Sequence, residues 1–296
     1  MFKLNEISAD KLNWYYLKMK DKINCSNLSE VSKKFLTEDI IKALLTEKPE
    51  ILLDIHTASP CELKNKSIIE KVFNYELYIS QSKPFSYKIA EKIGINTCTY
   101  CNRNYTLTIA YTDPETNRVN DSTRISRPQF DHYFSQKDYP LLALSIYNLI
   151  PSCSICNSTI KGSSPLNKDL HLHPYISEVD INEREFKFSY DVDSLNKLSV
   201  KIKSNENSKI KRTLDFFETE EIYNAHSNFE LKDLYDLRMK YSDTFLNIIE
   251  SNFDGIMKKK EAYRMIFGIE TKEDNHHQRP FSKFKHDIIE ELKNSY

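Results

Sequence analysis

The chain has 296 residues and a formal net charge of −1, with 42 basic and 43 acidic residues. This balance excludes a strong overall field that would draw the protein to nucleic acid or to an anionic membrane, so any such binding must come from a local patch. Its 18 tyrosines and 16 phenylalanines beside only four glycines exclude a disordered chain and favour a helix-rich fold.

No membrane segment or export signal is predicted. No apolar run approaches the ~20 residues of a membrane span, and the N-terminal stretch MFKLNEISADKLNWYY lacks the apolar core and small-residue cleavage site of a signal peptide. We therefore expect a cytoplasmic protein without membrane contacts. In that compartment thiols stay reduced, and closely spaced cysteines are more often metal ligands than disulfides.

The N-terminal region, residues 1–93, is predicted to be helical. Leu12, Tyr15 and Met19 fall on one face of a helix that begins near Ser8, and two later segments, SEVSKKFLTEDIIKALLTE and ELKNKSIIEKVFNYELYIS, have a similar character. Such apolar stripes are typical of a helical scaffold.

The composition changes at Gly94, where β-forming residues become frequent. Residues 105–112, YTLTIAYT, alternate as a strand does, residues 113–117, DPETN, are a turn signal, and strand-like sequence resumes toward Phe130. A helix is expected to begin near Ser154 and to include Lys161.

The C-terminal part begins with two predicted strands, FKFSYD and LSVKIKS. Long helical stretches follow from about residue 206 to about residue 267, and RPFSKFKHDIIEEL is a short loop that enters a last helix. We therefore expect an α+β fold that is mostly helical. Its predicted division is a helical region at 1–93, a central region at 94–176, and a small β element with helices at 177–296.

Two close cysteine pairs stand in the central region. Cys98-x2-Cys101 and Cys153-x2-Cys156 form a double CxxC pattern, and four thiolates at two tight turns suit tetrahedral zinc. The pairs are separated by residues 102–152, a longer stretch than in a short zinc ribbon, so an insert must lie between them. A closed four-cysteine site leaves no open position for substrate. The predicted zinc is therefore structural, and the chemistry is expected elsewhere.

Polar residues suited to phosphodiester hydrolysis lie in and beside this insert. Asp131-His132 ends a predicted strand, Asn148 precedes the second cysteine pair, and Asn157 follows Cys156 directly. A one-metal nuclease needs a general base, an oxygen-liganded divalent ion and a residue that orients the base. Side chains alternate along a strand, so the Asp131 and His132 side chains should point to opposite faces.

This stretch resembles an HNH endonuclease, the ββα-metal fold, in the version in which a hairpin and a helix are clamped by a four-cysteine zinc site. The resemblance spans residues 98–174. It rests on Asp131-His132, Asn148-Leu149, Cys153-x2-Cys156-Asn157 and Lys161. Asn157 stands where the family often has histidine, so the chain is an HNN variant. The predicted fold class is therefore α+β with a central ββα-metal nuclease core.

The resemblance implies a role for each residue of the motif. His132 is the general base, Asn148 orients it through its backbone or side-chain amide, and Asp131 with Asn157 binds Mg²⁺, with Mn²⁺ as an alternative. The expected activity is metal-dependent cleavage of nucleic acid, DNA in preference to RNA. The phrase around DHYFSQKDYP and YNLIPSCSICNSTIKG is similar to the HNH subunits of Septu-type anti-phage systems, which implies a bacterial defence effector with an ATPase partner.

Other residues are weaker candidates for contacts with the substrate. Lys161 and Arg103 are predicted to bind phosphate, because backbone contacts need basic side chains near the site. The roles of His171 and His173, which could reach the phosphate or merely pack, stay open. So does the role of the basic segment 276–286, which either contacts a nucleic acid or partner or caps the last helix.

Two other function classes compete with the nuclease. A non-enzymatic zinc-bound module that binds nucleic acid or acts as an adaptor would keep the four cysteines but would need none of Asp131, His132, Asn148 and Asn157. A redox dithiol protein would normally have a single CxxC pair at the start of a helix.

Overall fold

The computed structural model describes residues 3–112, 119–176, 179–252 and 257–294. It is a mixed fold of helices and small sheets in which 54% of the structure is helical, as the composition predicts. The predicted turn at 113–117 lies outside the described residues. None of the described helices combines the length and apolar character needed to cross a bilayer.

The N-terminal region is helical, as predicted. Helix α3 begins after Thr37, whose hydroxyl accepts a hydrogen bond from the Ile40 amide, and α4 begins with Pro49, whose fixed φ suits the first turn. The buried faces of these helices carry Leu44, Leu45 and Leu52. The helices are α1 Ala9–Met19, α2 Glu30–Phe35, α3 Glu38–Thr46, α4 Pro49–Ala58, α5 Lys66–Ile69 and α6 Lys83–Ile93, with a π-helical segment at Glu76–Ser80.

The described strands form three antiparallel pairs. They are β1 Ile109–Thr112 with β2 Val119–Ser126, β3 Gln129–His132 with β4 Leu149–Ser152, and β5 Phe186–Val192 with β6 Leu198–Ser204. The expected strand over 105–112 begins only at Ile109. The reason is that Tyr105 instead forms an isolated bridge to Thr97, which closes the turn around the first cysteine pair.

The pair β3–β4 is the central hairpin. Asp131 lies opposite Ile150 and His132 lies opposite Leu149, so the Asp-His step does end a strand. A π-helical segment, Ile155–Lys161, follows at once, close to the predicted helix. The two cysteine turns and the predicted catalytic residues therefore lie on this hairpin, its loop and its flanking turns.

The C-terminal part contains the two predicted strands and further helices. The long final helix, α13, packs on β5: Asp287 accepts a hydrogen bond of 3.0 Å from the Phe188 amide, and the Phe188 and Phe284 rings meet edge to face. The helices are α7 Ile181–Arg184, α8 Lys209–Phe216, α9 Thr219–Asn224, α10 Lys232–Lys240, α11 Asp243–Asn252, α12 Lys259–Phe267 and α13 Ser282–Asn294, with a π-helical segment at Ser227–Leu231.

The hairpin region is held between the two helical parts. Buried apolar side chains form one cluster that extends from Leu4 to Leu292. The Tyr15 hydroxyl of α1 donates to the Leu144 carbonyl at 2.7 Å, and the Tyr223 hydroxyl of α9 donates to the Cys101 carbonyl at 2.7 Å. The N-terminal helical region therefore contacts the loop of the central hairpin, and the C-terminal region contacts the first cysteine turn.

Candidate metal centre and strand-end site

The four paired cysteines converge on one point. The Sγ atoms of Cys98, Cys101, Cys153 and Cys156 all lie within 4.8 Å of one another, and all four residues are buried. The first pair comes from the turn that the Thr97–Tyr105 bridge closes, and the second pair spans the junction between β4 and the π-helical segment. The four thiols are not in disulfides, so they are available as ligands.

The surroundings of the sulfurs fit a metal ion such as zinc. The Arg103 amide lies 3.4 Å from Cys101 Sγ, and the Asn104 side-chain amide lies 3.5 Å from Cys153 Sγ. Such donors favour sulfur in its charged form. Donation from the neighbouring thiols lowers the pKa of Cys153, whereas burial raises the pKa of Cys98. A zinc ion at this point would favour the deprotonated form of all four cysteines, because it stabilises the negative charge of the thiolates.

Asp131 is held by two partners on one side of the hairpin. The Tyr100 hydroxyl donates to its Oδ2, and Lys161 Nζ lies 2.8 Å from its Oδ1. Only 3% of the Asp131 side chain and 6% of the Lys161 side chain are exposed, so this is a buried ion pair. Tyr100 lies between the first two cysteines and stacks on Phe217, with ring centroids 4.1 Å apart. The cysteine turn therefore directly positions this carboxylate.

His132 has a separate set of partners. Its Nε2 lies 2.9 Å from the Ala143 carbonyl oxygen. The Gln136 side-chain amide nitrogen lies 3.1 Å from Nδ1 and 3.4 Å from Nε2, so it faces the ring and does not lie on the in-plane lone pair of Nδ1. A carbonyl only accepts, so Nε2 carries the proton and Nδ1 keeps its lone pair. The Tyr75 ring meets the imidazole edge to face at 4.4 Å. Burial lowers the pKa of His132 to about 4, which keeps the ring neutral at pH 7.

Asn148 positions His132 indirectly. It is fully buried, its Oδ1 accepts from the Phe134 amide at 2.7 Å, and its Nδ2 donates to the Phe134 and Leu142 carbonyls at 3.0 Å each. These bonds close the loop between β3 and β4. Because that loop also carries Ala143, Asn148 holds the carbonyl that determines the tautomer of His132.

Asn157 lies at the more exposed edge of the hairpin. Its side-chain amide donates to Gln129 Oε1 at 2.9 Å, and Gln129 is two residues before Asp131 on β3. Mg²⁺ needs free oxygen ligands. Asp131 and Asn157, the predicted ligands, do not fit Mg²⁺ in this arrangement. Both Asp131 oxygens are engaged, and the Lys161 ammonium already supplies a cation beside them.

The two predicted phosphate contacts lie in different places. Lys161 is beside Asp131, so it can bind phosphate only if the ion pair opens. Arg103 belongs to the first cysteine turn and lies near His226: burial and then the Arg103 charge lower the pKa of that histidine. The structure therefore does not bring Arg103 together with His132 through any described contact, and both roles stay predictions.

His171 and His173 pack against the hairpin loop. The His171 carbonyl accepts from the Tyr133 hydroxyl at 2.9 Å, and the His173 ring lies 4.3 Å from the Tyr133 ring and 5.4 Å from the Phe134 ring. Burial lowers the pKa of His173 to about 3. The His173 ring therefore packs on the hairpin loop, whereas the His171 ring packs on Phe216, with ring centroids 5.2 Å apart.

The basic segment 276–286 docks on the first cysteine turn. Asn102, which adopts left-handed backbone geometry with φ 49°, donates its side-chain amide to the His276 carbonyl at 3.0 Å. The Thr97 hydroxyl donates to the His277 carbonyl at 3.0 Å, and Phe284 is fully buried. This segment therefore fastens α13 to the cysteine turn, a contact that neither of the two alternatives left open by the sequence had predicted.

Three site residues were missed by sequence reasoning: Tyr100, Gln136 and Tyr75. Tyr100 stands inside the first CxxC pattern, which was a usable signal because any residue between two ligands is held near the metal. Gln136 and Tyr75 gave no such signal, since one lies in an irregular loop and the other belongs to a helical region distant in sequence.

Comparison of the chain with protein-family models, with curated proteins and with solved structures finds no match in any of the three. The functional proposal therefore depends on the geometry of the site and on the motif resemblance.

Proposed function

We propose that this chain is an HNH-type endonuclease that hydrolyses phosphodiester bonds in nucleic acid, DNA in preference to RNA, with His132 as the general base. The observation that carries the proposal is the 2.9 Å contact between His132 Nε2 and the Ala143 carbonyl. It places an imidazole of defined tautomer at the end of β3, directly after Asp131, in a hairpin followed by a helical segment.

The proposed reaction is in-line hydrolysis. His132 Nδ1 takes a proton from water, the water oxygen bonds to phosphorus, and the bond to the leaving 3′-oxygen breaks; that oxygen takes up a proton from solvent. The products carry a 5′-phosphate and a 3′-hydroxyl, as the resemblance implies. The Ala143 carbonyl stabilises the imidazolium, since its hydrogen bond strengthens when the donor becomes charged. Asn148 keeps that carbonyl in place.

A Mg²⁺ requirement is a prediction of the resemblance alone, because the Asp131 carboxylate is already engaged by Tyr100 and Lys161. The zinc at the four cysteines would stabilise the fold without taking part in hydrolysis. The proposed biological setting, a defence effector recruited by an ATPase partner, is supported by the motif resemblance. It also agrees with the near-zero net charge, which disfavours tight DNA binding by the chain alone.

A non-enzymatic zinc-bound binding or adaptor module is the second candidate. We call Asp131, His132 and the side chains that contact them the strand-end site. The observation that favours the alternative is that this site is shielded from solvent: the Asp131–Lys161 pair is buried, and His132 is only 8% exposed. Under this alternative the ion pair and the imidazole contacts serve only to stabilise the hairpin.

The discriminating experiment is a cleavage assay on plasmid, linear duplex, single-stranded DNA and RNA, each with Mg²⁺, with Mn²⁺ and with neither. We expect the wild type to cut DNA and His132→Ala to lose at least ~100-fold in rate, the usual contribution of a general base. Zinc content and circular dichroism should not change.

The matched control is His226→Ala, a half-buried histidine whose ring packs on Phe281. It should cut at the wild-type rate. A wild-type rate for His132→Ala would refute the assignment of the base. The absence of cleavage by the wild type on every substrate would favour the adaptor.

A further inference from the structure

The buried lysine beside Asp131 is not used by the proposed reaction. Lys161 Nζ lies 2.8 Å from Asp131 Oδ1, and only 6% of the lysine side chain and 3% of the aspartate side chain are exposed. Removing an ammonium group from water is costly unless the group is paired. The lysine ammonium is a compact point charge, and here it lies on the carboxylate that the motif resemblance assigns to Mg²⁺.

A π-helical turn brings Lys161 to β3. The Gly162 amide donates to the Asn157 carbonyl at 3.0 Å, a hydrogen bond that spans five residues, one more than in an α-helix. Gly162 ends the segment with φ 50°, in the left-handed region that favours glycine. Because the wider turn changes the direction in which side chains leave the helix, this local geometry sets where the Lys161 ammonium lies. Such π-turns are frequent at functional sites.

The other predicted Mg²⁺ ligand is also engaged. Asn157 Nδ2 donates to Gln129 Oε1 at 2.9 Å, and the Ser158 hydroxyl donates to the same oxygen at 3.1 Å. In the described part of the chain, the only group of three or more cysteine, histidine or acidic side chains that could hold a metal ion is the four-cysteine cluster. Asp131 therefore belongs to no described set of three such ligands.

We propose that Lys161 replaces the divalent ion at the strand-end site: its ammonium neutralises Asp131, and the chain binds neither Mg²⁺ nor Mn²⁺ at this carboxylate. The inference rests on the proposed function and deepens it, because hydrolysis by His132 then needs no divalent ion at Asp131. It contradicts the Mg²⁺ site that the resemblance implies. Mg²⁺ requires near-octahedral oxygen ligands and keeps several waters, and a buried carboxylate with both oxygens engaged offers it neither ligands nor space.

The first test follows the acetylation of lysines by an N-hydroxysuccinimide ester in the full wild-type chain, residue by residue with mass spectrometry. Lys161 should react roughly 100-fold more slowly than the exposed Lys137, because the buried pair must open first. Excess Mg²⁺ or Mn²⁺ should leave both rates unchanged. An ion bound at Asp131 would displace the ammonium, so a faster reaction of Lys161 in the presence of either ion would overturn the proposal.

The second test removes the ammonium. Lys161→Ala leaves space beside an uncompensated carboxylate, and one carboxylate with several waters is a usual way to hold such an ion. This variant should therefore bind one more Mn²⁺ per chain than the wild type, as measured by electron paramagnetic resonance of the free ion. The double variant Lys161→Ala/Asp131→Asn should return to the wild-type count, and the surface control Lys137→Ala should not depart from it.

Zinc content has to be equal in all of these proteins, so that the additional Mn²⁺ is not bound at the cysteines, whose thiolates suit zinc better than manganese. A folded Lys161→Ala protein that binds no additional Mn²⁺ would overturn the assignment of Lys161 to a cation position. If that variant does not fold, the acetylation rates decide alone.

Neither readout requires hydrolysis. A wild type that cuts only with Mg²⁺, and whose Lys161 is acetylated faster when Mg²⁺ is added, would refute this inference and leave His132 as the base. A chain that passes both tests but cuts no substrate would refute the nuclease and keep Lys161 as the cation of the strand-end site.

Discussion

The four-cysteine cluster and the strand-end site are built in opposite ways. In the cluster, two short turns bring four identical atoms within 4.8 Å of one another. In the strand-end site, Asp131 and His132 are adjacent in sequence yet share no described hydrogen-bond partner, because one contacts Tyr100 and Lys161 and the other contacts Ala143 and Gln136. Closely spaced cysteines on two turns therefore converge into a cluster that could hold a metal ion, whereas neighbouring side chains on the strand point apart.

Tyr100 connects the two regions. It stands between Cys98 and Cys101 in sequence and donates to Asp131 across the hairpin. A change in the cysteine turn should therefore reach the carboxylate, whereas a change at the carboxylate need not reach the cysteines.

The largest effect is expected at the cluster. We expect Cys153→Ser to abolish zinc binding at the cluster and to unfold the central hairpin. A structural zinc contributes ~10–16 kcal/mol in small zinc domains, as much as the whole ~5–15 kcal/mol stability of a typical domain. Zinc content by elemental analysis and thermal unfolding by circular dichroism measure it.

The matched control is Cys61→Ser, at an exposed cysteine outside the cluster. Its free energy of unfolding should stay within ~0.5 kcal/mol of the wild-type value, and its zinc content should equal that of the wild type. A folded, stable Cys153→Ser protein without zinc would show that the cluster is not needed for the fold.

The buried ion pair should give the next largest effect. Lys161→Met leaves the Asp131 carboxylate buried without its cation, which typically costs about 3–5 kcal/mol. Urea denaturation measures the loss. Combining Lys161→Met with Asp131→Asn should recover much of it, because the uncompensated charge is then removed.

An exposed pair on α8 provides the control. Lys211 Nζ and Asp215 Oδ1 are 2.7 Å apart with side chains 28% and 59% exposed, so Lys211→Met should cost at most ~0.5 kcal/mol. Equal losses for the two lysine variants would mean that burial does not strengthen the Asp131–Lys161 interaction.

The smallest effect is expected at the connecting residue. Tyr100→Phe keeps the ring that stacks on Phe217 but removes the hydroxyl that binds Asp131, and a hydrogen bond to a charged group contributes about 1.5–3 kcal/mol. Zinc content should not change, and the unfolding free energy should fall by that amount.

Tyr133→Phe is the comparison, because its hydroxyl donates at 2.9 Å to a neutral acceptor, the His171 carbonyl. It should cost only about 1 kcal/mol. Loss of zinc from Tyr100→Phe would reverse the proposed asymmetry and place the cluster under the control of the strand-end site.

Much of the fold was predictable where local signals were strong. The helices of residues 1–93, the strands at 186–192 and 198–204 and the strand that ends at His132 follow from periodicity. The strand expected from residue 105 was too long at its start, because the bridge of Tyr105 to Thr97 is a tertiary requirement of the cysteine turn that overrides local β-propensity.

The sequence by itself determined the four-cysteine cluster, the Asp-His step at a strand end and the helix-rich surroundings, because spacing and periodicity act over a few residues. Only the tertiary structure decided what surrounds those side chains. It paired Asp131 with Lys161, placed Gln136 on His132 and brought Tyr75 from the N-terminal helices to the imidazole. The reason is that burial and charge pairing depend on segments that meet only after the chain has folded.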